Sequence, residues 1–163
     1  MNLDQFINYA NNSNSFYDYV QQLRENGFRY SDELINGLSV ARHNRDAFLL
    51  EDIIGISLRD GADNRFTNIL TELIKEDWHD RHHDIVTLFR KIKDPLSVDI
   101  IFETAINIAD WDDRRGLARN CIWALGEINT QEAFEKLKLL ATGDDRIIKE
   151  VASMELNQLK NIN

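Results

Sequence analysis

The last third of the chain repeats itself at a fixed offset. A shift of 31 residues places Leu125 on Leu156, and a shift of 36 residues places Ile85 on Cys121. Repeats of this length are typical of helix pairs that bury an apolar face only by stacking on a neighbouring pair. The sequence therefore predicts an array of stacked helix pairs.

Composition and hydrophobic spacing favour helix along the whole chain. The sequence has one proline and seven glycines, and it has no strand-type alternation bounded by hairpin signals. Apolar residues at helical spacing predict about ten helices, the first two near residues 3–10 and 16–23. The fourth, AFLLEDIIGISL, is apolar nearly all round and is expected between neighbours on both sides. We therefore predict an all-α fold, an α-solenoid of stacked antiparallel helix pairs.

Polar residues mark the helix starts, because a short side-chain oxygen can accept a backbone N–H of the first turn. Proline is also favoured at the first helical position. The starts fall at Asn44 or Asp46, Asp94 with Pro95, Asp112 with Asp113, Thr130, and the turn Gly143-Asp144-Asp145. A chain of 163 residues is most simply one domain, 1–163. Residues 1–60 are divergent, and the clearest repeats cover 80–160.

The clearest repeat resembles the HEAT repeat in its short, lyase-associated form. The residues that carry the resemblance are Asp113, Ala124-Leu125-Gly126, Ile128, Asn129-Thr130, Ala133, Leu137 and Leu140, followed by Asp145 and Lys149. The resemblance implies a curved scaffold whose second helices line an inner contact surface. In the last unit Glu155 stands where a small residue usually precedes the leucine, and terminal repeats commonly make such a change.

The chain is acidic, with 28 Asp and Glu against 19 Lys and Arg and a net charge of −9. Nucleic-acid binding depends on Lys and Arg that neutralise phosphates, so this balance argues against DNA or RNA as a partner. It favours a basic protein partner, because complementary charge raises the association rate and fixes orientation. An acidic surface that serves only solubility is the alternative.

The single cysteine, Cys121, falls on an apolar stripe and is expected to be a buried thiol in a reducing compartment. No segment approaches the length of a membrane-spanning helix. The first residues do not combine a basic stretch with an apolar run, as an export signal would. A cytoplasmic protein with no membrane partner is the expectation.

Three of the four histidines lie in the segment DWHDRHHDIV, residues 77–86. On a continuous helix His79 and His83 would share one face, as in zinc-binding motifs, but no third ligand is evident. The alternative is a helix start capped by Asp77 or Asp80, with imidazoles that titrate near neutral pH at solvated or interface positions. No metal and no cofactor are expected.

Tryptophans and acidic residues define the predicted contact surface. Trp123 adjoins an apolar stripe and is expected in the core between repeats. Trp78 and Trp111 lie at junctions between acidic residues and are either corner-filling anchors or exposed interface residues. Acidic residues of the second helices fall off the apolar stripes and should face solvent. The predicted partner-binding residues are Glu72, Glu76, Trp78, His79, Asp99, Glu103, Asn107, Asp110, Trp111, Asp112 and Asp113.

Two functional classes fit such a scaffold. The D-W-H-x-x-H segment that starts at Asp77, together with the small acidic repeats, is similar to HEAT-like immunity proteins of polymorphic bacterial toxin systems. This resemblance implies a non-catalytic protein that neutralises a basic, nuclease-like toxin domain by covering its active surface. The repeats are also similar to HEAT-repeat phycobilin lyases, which implies an assembly factor that binds a tetrapyrrole, although a buried Cys121 offers little covalent chemistry. A general scaffold is a third reading.

Overall fold

The computed structural model describes residue 4, residues 30–107 and residues 109–162. Within these residues the chain is helical and contains no strand, so the all-α class is confirmed. The two helices expected near residues 3–10 and 16–23 lie outside the described residues. The helices described are α1 (Tyr30–Asn44), α2 (Ala47–Asp60), α3 (Thr67–Leu73), α4 (His82–Ile92), α5 (Val98–Ile106), α6 (Gly116–Ile128), α7 (Gln131–Thr142) and α8 (Arg146–Ile162).

The helices pack both as consecutive pairs and as alternate neighbours. The consecutive pairs are α1 with α2, α3 with α4, α5 with α6, and α7 with α8. In addition, α4 contacts both α2 and α6, α6 contacts α8, and α5 contacts α7. One cluster of buried apolar residues extends from Leu34 in α1 to Leu156 in α8. The sequence shifts of 31 and 36 residues therefore relate helices that touch.

Two turns along the chain are built alike. Lys93, after α4, has φ 54° and Asn129, after α6, has φ 52°. Each is followed by a capping residue: Asp94 accepts the N–H of Leu96 at 3.1 Å, and Thr130 accepts that of Ala133 at 3.2 Å. A left-handed residue ends one helix and the next side chain starts another. The 36-residue shift relates both positions, so the backbone of the turn repeats as well as the apolar stripe.

Most of the expected helix starts are confirmed. Asp46 caps α2 by accepting the N–H of Leu49 at 3.0 Å. Asp145 caps α8, since its Oδ1 accepts the N–H of Ile148 at 3.1 Å. Pro95 begins a short 3-10 turn, Pro95–Ser97, that leads into α5. These side chains satisfy N–H groups that have no partner inside the helix.

Helix α2 is buried along most of its length, as its apolar composition predicts. Leu50, Ile53 and Ile56 are fully buried, and α2 lies between α1 and α4. Its first turn is the place where a large apolar side chain is exposed, because Phe48 is 84% exposed. The expectation that α2 is sandwiched between neighbours is confirmed.

The position of Trp123 differs from the expectation. Its side chain is 38% exposed, and the guanidinium groups of Arg90 and Arg119 lie 5.9 Å and 5.6 Å from the centre of its ring. Arg119, Trp123 and Glu127 follow one another at four-residue spacing, and all three are exposed. The ring therefore lies on the solvent stripe of α6, and the predicted core position is wrong.

The single cysteine lies where the sequence predicts. Cys121 is buried, and desolvation raises the pKa of its thiol above the usual range. A thiol held in its protonated form is a poor nucleophile. In the part of the chain that the structure describes, no helix has both the length and the apolarity needed to span a bilayer.

Candidate functional site

Two distant junctions of the chain meet at one cleft, here called the junction cleft. One wall comes from residues 74–82, between α3 and α4, and the other from α5 and the residues that follow it. The volume of the cleft is about 780 Å³. Five predicted contact residues line it: Glu76, His79, Glu103, Asn107 and Trp111. The structure adds Ile74, Lys75, Asp77, Asp80, His82, Ile100, Thr104, Ala109 and Leu117.

His79 holds the first wall in shape. It is buried, and its Nδ1 accepts the N–H of Arg81 at 3.1 Å. Nε2 lies 3.0 Å from the carbonyl oxygen of Leu73, so Nε2 carries the proton and donates it. Burial lowers the pKa of His79, which keeps the ring neutral. Both ring nitrogens are used by the backbone, so His79 fixes the turn after α3.

A chain of aromatic rings joins the two junctions. Trp78 meets His79 edge to face at 4.8 Å, and His79 meets His82 at 4.7 Å. His82 in turn lies 5.7 Å from Trp111. Trp78 is half-buried and donates from Nε1 to Glu76 at 3.2 Å, so it fills the corner. Trp111 is 56% exposed and lies at the solvent end of this chain.

His79 and His83 do not form the metal-binding pair that a continuous helix would produce. Helix α4 begins at His82, so His79 and His83 do not share a helix. Among the described residues no group of three or more His, Cys, Asp or Glu is placed to hold a metal ion. The predicted cap at Asp77 or Asp80 is wrong, because Arg81 precedes α4 without a capping side chain and Asp80 pairs with Arg81 at 2.7 Å.

Several predicted acidic residues are already neutralised by cations from other helices. Arg42 of α1 binds Glu72 at 3.1 Å and Glu76 at 2.8 Å. The hydrogen bond from Arg42 is the main reason that the pKa of Glu76 is lowered. Lys136 of α7 binds Asp99 at 2.6 Å. These carboxylates hold helices together, and they offer a partner less charge than the sequence suggests.

Asp112 is buried and holds the start of α6, next to the second wall of the junction cleft. Its side chain accepts the backbone N–H groups of Leu117 and Ala118, which lie in the first turn of α6. Asp112 therefore caps α6, as the sequence predicts, and it does not present charge to solvent. Asp113, which was expected to share this role, is exposed.

The remaining predicted residues lie at the surface. Glu103, Asn107, Asp110 and Asp113 are exposed, as their positions off the apolar stripes predict. Glu103 and Asn107 line the junction cleft, whereas Asp110 and Asp113 lie in the loop that carries Trp111. Three residues that line the cleft were not predicted as contact residues, although they belong to the same short segment as Trp78 and His79: Asp77, Asp80 and His82. Their orientation depends on an irregular turn, which helical periodicity does not describe.

Acid is expected to destabilise the first wall of the junction cleft. Burial is the main cause that lowers the pKa of both His79 and His82 below the ordinary value of 6.5. As pH falls through 6.5, the unfolded chain takes up these protons before the folded chain does, so stability is lost. Urea unfolding at pH 7 and pH 5 should show this loss. His79→Gln should reduce it, and His43→Gln, at an exposed site on α1, should leave it unchanged.

Comparison with family models, with curated proteins and with solved structures finds no match to this chain. The resemblance to HEAT repeats therefore rests on the sequence motif alone. What the junction cleft can do chemically follows from its lining: four carboxylates, one ammonium group, two imidazoles, an exposed indole and an apolar floor. Such a lining favours a cationic group with an apolar or flat body.

Proposed function

We propose that this chain is a non-catalytic protein-binding module, an α-solenoid of the HEAT-like class, whose partner is a basic protein domain. In its specific form it is a bacterial immunity protein that neutralises a nuclease-like toxin domain by covering the active surface of the toxin. One observation carries this proposal. Two acidic, tryptophan-containing junctions, 76–80 and 109–113, are far apart in sequence and contribute to one cleft.

Helix contacts support the solenoid part of the proposal. A solenoid stacks each helix pair on the next, so alternate helices must touch in two rows. Contacts of α2 with α4, α4 with α6 and α6 with α8 fit one row. Contacts of α1 with α3, of α3 with the 3-10 turn that leads into α5, and of α5 with α7 fit the other. The repeated turns at Lys93 and Asn129 fit the same arrangement.

Charge supports a basic partner. Among the described residues Glu103, Asp110 and Asp113 have no ion-pair partner and are exposed, so their field reaches solvent. Complementary charge across an interface raises the association rate and orients the encounter. A nuclease toxin suits this role, because a protein that binds phosphates needs a basic active surface.

Co-expression tests the specific form of the proposal. The proposal predicts that a larger protein with a C-terminal toxin domain is encoded beside this gene, and this domain is the toxin to test. Growth of cells that produce this domain should be restored when the acidic chain is produced with it, and the two proteins should purify together. Toxicity that persists with abundant folded chain would overturn the immunity proposal.

Charge reversal in the Trp111 loop is expected to slow association with the basic partner. The double variant Asp110→Lys/Asp113→Lys should lower the association rate about tenfold at low salt, and less at high salt because ions screen the field. Asp144→Lys is the positional control, since the 31-residue shift relates Asp144 to Asp113 and both are exposed. It changes the net charge by two units and the double variant by four, so the slowing measured by stopped-flow mixing is compared per unit of charge. Equal slowing per unit of charge would show that only net charge matters.

The volume of the junction cleft favours one alternative, a lyase or assembly factor that binds a tetrapyrrole. A cleft of about 780 Å³ lies within the range of about 300 to 1,000 Å³ that is usual for small-molecule sites. Titration with a free bilin tests this reading. A saturable change in visible absorbance that Trp111→Leu abolishes would favour the alternative, and no change would favour protein binding.

A further inference from the structure

Some carboxylates of the junction cleft have no ion-pair partner within the described part of the chain. Of its four lining carboxylates, Glu76 is held by Arg42 and Asp80 by Arg81. Within the described residues Asp77 and Glu103 have no ion-pair partner, and both are exposed. A cation that enters the cleft therefore meets two available carboxylates.

Trp111 adds an exposed aromatic surface to the junction cleft. Its side chain is 56% exposed, against 38% for Trp123. Trp123 is covered by the guanidinium groups of Arg90 and Arg119. In the part of the chain that the structure describes, no Lys or Arg lies over the ring of Trp111. An exposed indole beside unpaired carboxylates is a favourable place for a guanidinium group, which stacks and pairs at once.

The floor of the cleft suits an aliphatic stem. Ile74, Ile100 and Leu117 contribute apolar surface to the lining. The methylene groups of a long cationic side chain can cover such surface while the charged end reaches the carboxylates. The volume of about 780 Å³ exceeds that of one side chain, so a short loop of a partner can enter with it.

We infer that the junction cleft binds an arginine side chain that the partner protein presents, stacked on Trp111 and paired with Glu103 and Asp77. The inference rests on the proposed function, because the arginine belongs to the protein partner. Arginine is favoured over lysine, since a planar guanidinium can stack on the indole and donate two parallel hydrogen bonds to a carboxylate. An ammonium group has no plane that can stack on the indole, and it pairs with a carboxylate as a point charge without the two parallel hydrogen bonds.

The probe for this inference is N-acetyl-arginine methylamide, titrated into the isotope-labelled full chain. Nuclear magnetic resonance should show saturable shifts at the Trp111 indole N–H and at the backbone amides of Thr104 and Asn107. Affinity is expected on the order of millimolar, because a single side chain makes few contacts. The lysine analogue should bind about fivefold more weakly. The citrulline analogue, which keeps the shape without the charge, should show no saturable shift.

Two matched variants locate the site. Glu103→Gln should weaken binding of the arginine probe about fivefold, whereas Asp99→Asn, one turn earlier on α5 and outside the cleft, should leave it unchanged. Trp111→Leu should abolish saturable binding. Equal binding of citrulline, or equal loss in Asp99→Asn, would overturn the inference.

The inference and the proposed function fail in different ways. If the arginine probe does not bind but Asp110→Lys/Asp113→Lys still slows association with the basic protein, the inference is wrong and the proposed function stands. If the probe binds but no basic protein does, the proposed function is wrong and so is the assignment to a protein arginine.

Discussion

Replacing Asp112 by alanine is expected to lower the free energy of unfolding by about 2 to 4 kcal/mol. Asp112 is 6% exposed, and its carboxylate accepts the N–H of Leu117 at 3.1 Å and that of Ala118 at 3.3 Å. Neither N–H has a partner inside α6. Arg115, the residue before α6, makes no capping hydrogen bond with its side chain. Without Asp112, two buried donors lose their acceptor.

Asp113→Ala is the matched control, because it removes the same group from the next residue. Asp113 is exposed, so the free energy of unfolding should change by less than about 0.5 kcal/mol. Urea unfolding followed by far-ultraviolet circular dichroism measures both variants. If both substitutions had the same small effect, the carboxylate of Asp112 would contribute nothing to the start of α6.

This difference also decides how binding data should be interpreted. Asp112 lies beside Trp111, so Asp112→Ala should disturb the second wall of the junction cleft as well as the stability of α6. A loss of partner binding in Asp112→Ala would reflect the disturbed structure of the cleft. The same loss in Asp113→Lys, whose fold should be intact, would show that this position contacts the partner.

The helices were predictable because their signal is local. Periodic apolar residues are enough to place α1 to α8, and side chains such as Asp46 and Thr130 mark helix starts by contacts within a few residues. The 36-residue shift also anticipated which helices touch, because stacked repeats bury equivalent faces. Trp123 was misplaced although the signal was present. Its exposed neighbours at four-residue spacing, Arg119 and Glu127, mark a solvent stripe.

The junction cleft was only partly predictable, because its shape depends on contacts between distant residues. Arg42 pairs with Glu76 across 34 positions of sequence, and no local pattern reveals such a pair. Two adjacent aspartates, Asp112 and Asp113, look alike in sequence but have opposite burial. Which one turns inward depends on the backbone of the loop. His79 likewise is buried and stabilises an irregular turn, because its ring makes two hydrogen bonds with the backbone of that turn.

Substitution of Gly126 by alanine is expected to lower the free energy of unfolding by about 1 to 3 kcal/mol, even though alanine is the better helix former. Gly126 lies in α6, and the side chain of Glu155 from α8 occupies the space where a Cβ would stand. The overlap involves Cγ and Cδ as well as the terminal oxygen, so most of the Glu155 side chain must move. Glu155 replaces the usual small residue of the repeat, and Gly126 provides the room that it needs.

Glu155 is also held in an unfavourable electrostatic position. Desolvation raises the pKa of its carboxyl, and the charge of Glu127 raises it further, while Arg90 acts in the opposite direction. Protonation is therefore easier in the folded chain than in the unfolded chain. The resulting contribution to stability is present below pH 4.5, the ordinary pKa, and is lost as pH rises through the raised pKa. At neutral pH the carboxylate contributes little stabilisation, so Glu155→Ala should be tolerated.

A double-mutant cycle tests whether Gly126 and Glu155 depend on each other. In the Glu155→Ala background the obstacle is gone, and Gly126→Ala should raise the free energy of unfolding by about 0.5 to 1 kcal/mol. The change of sign corresponds to a coupling energy of about 1.5 to 4 kcal/mol, which urea unfolding resolves. If Gly126→Ala stabilised the chain in both backgrounds, Glu155 would move aside without loss. The packing of α8 on α6 would then not depend on the glycine, and Glu155 would be a surface residue of the last helix.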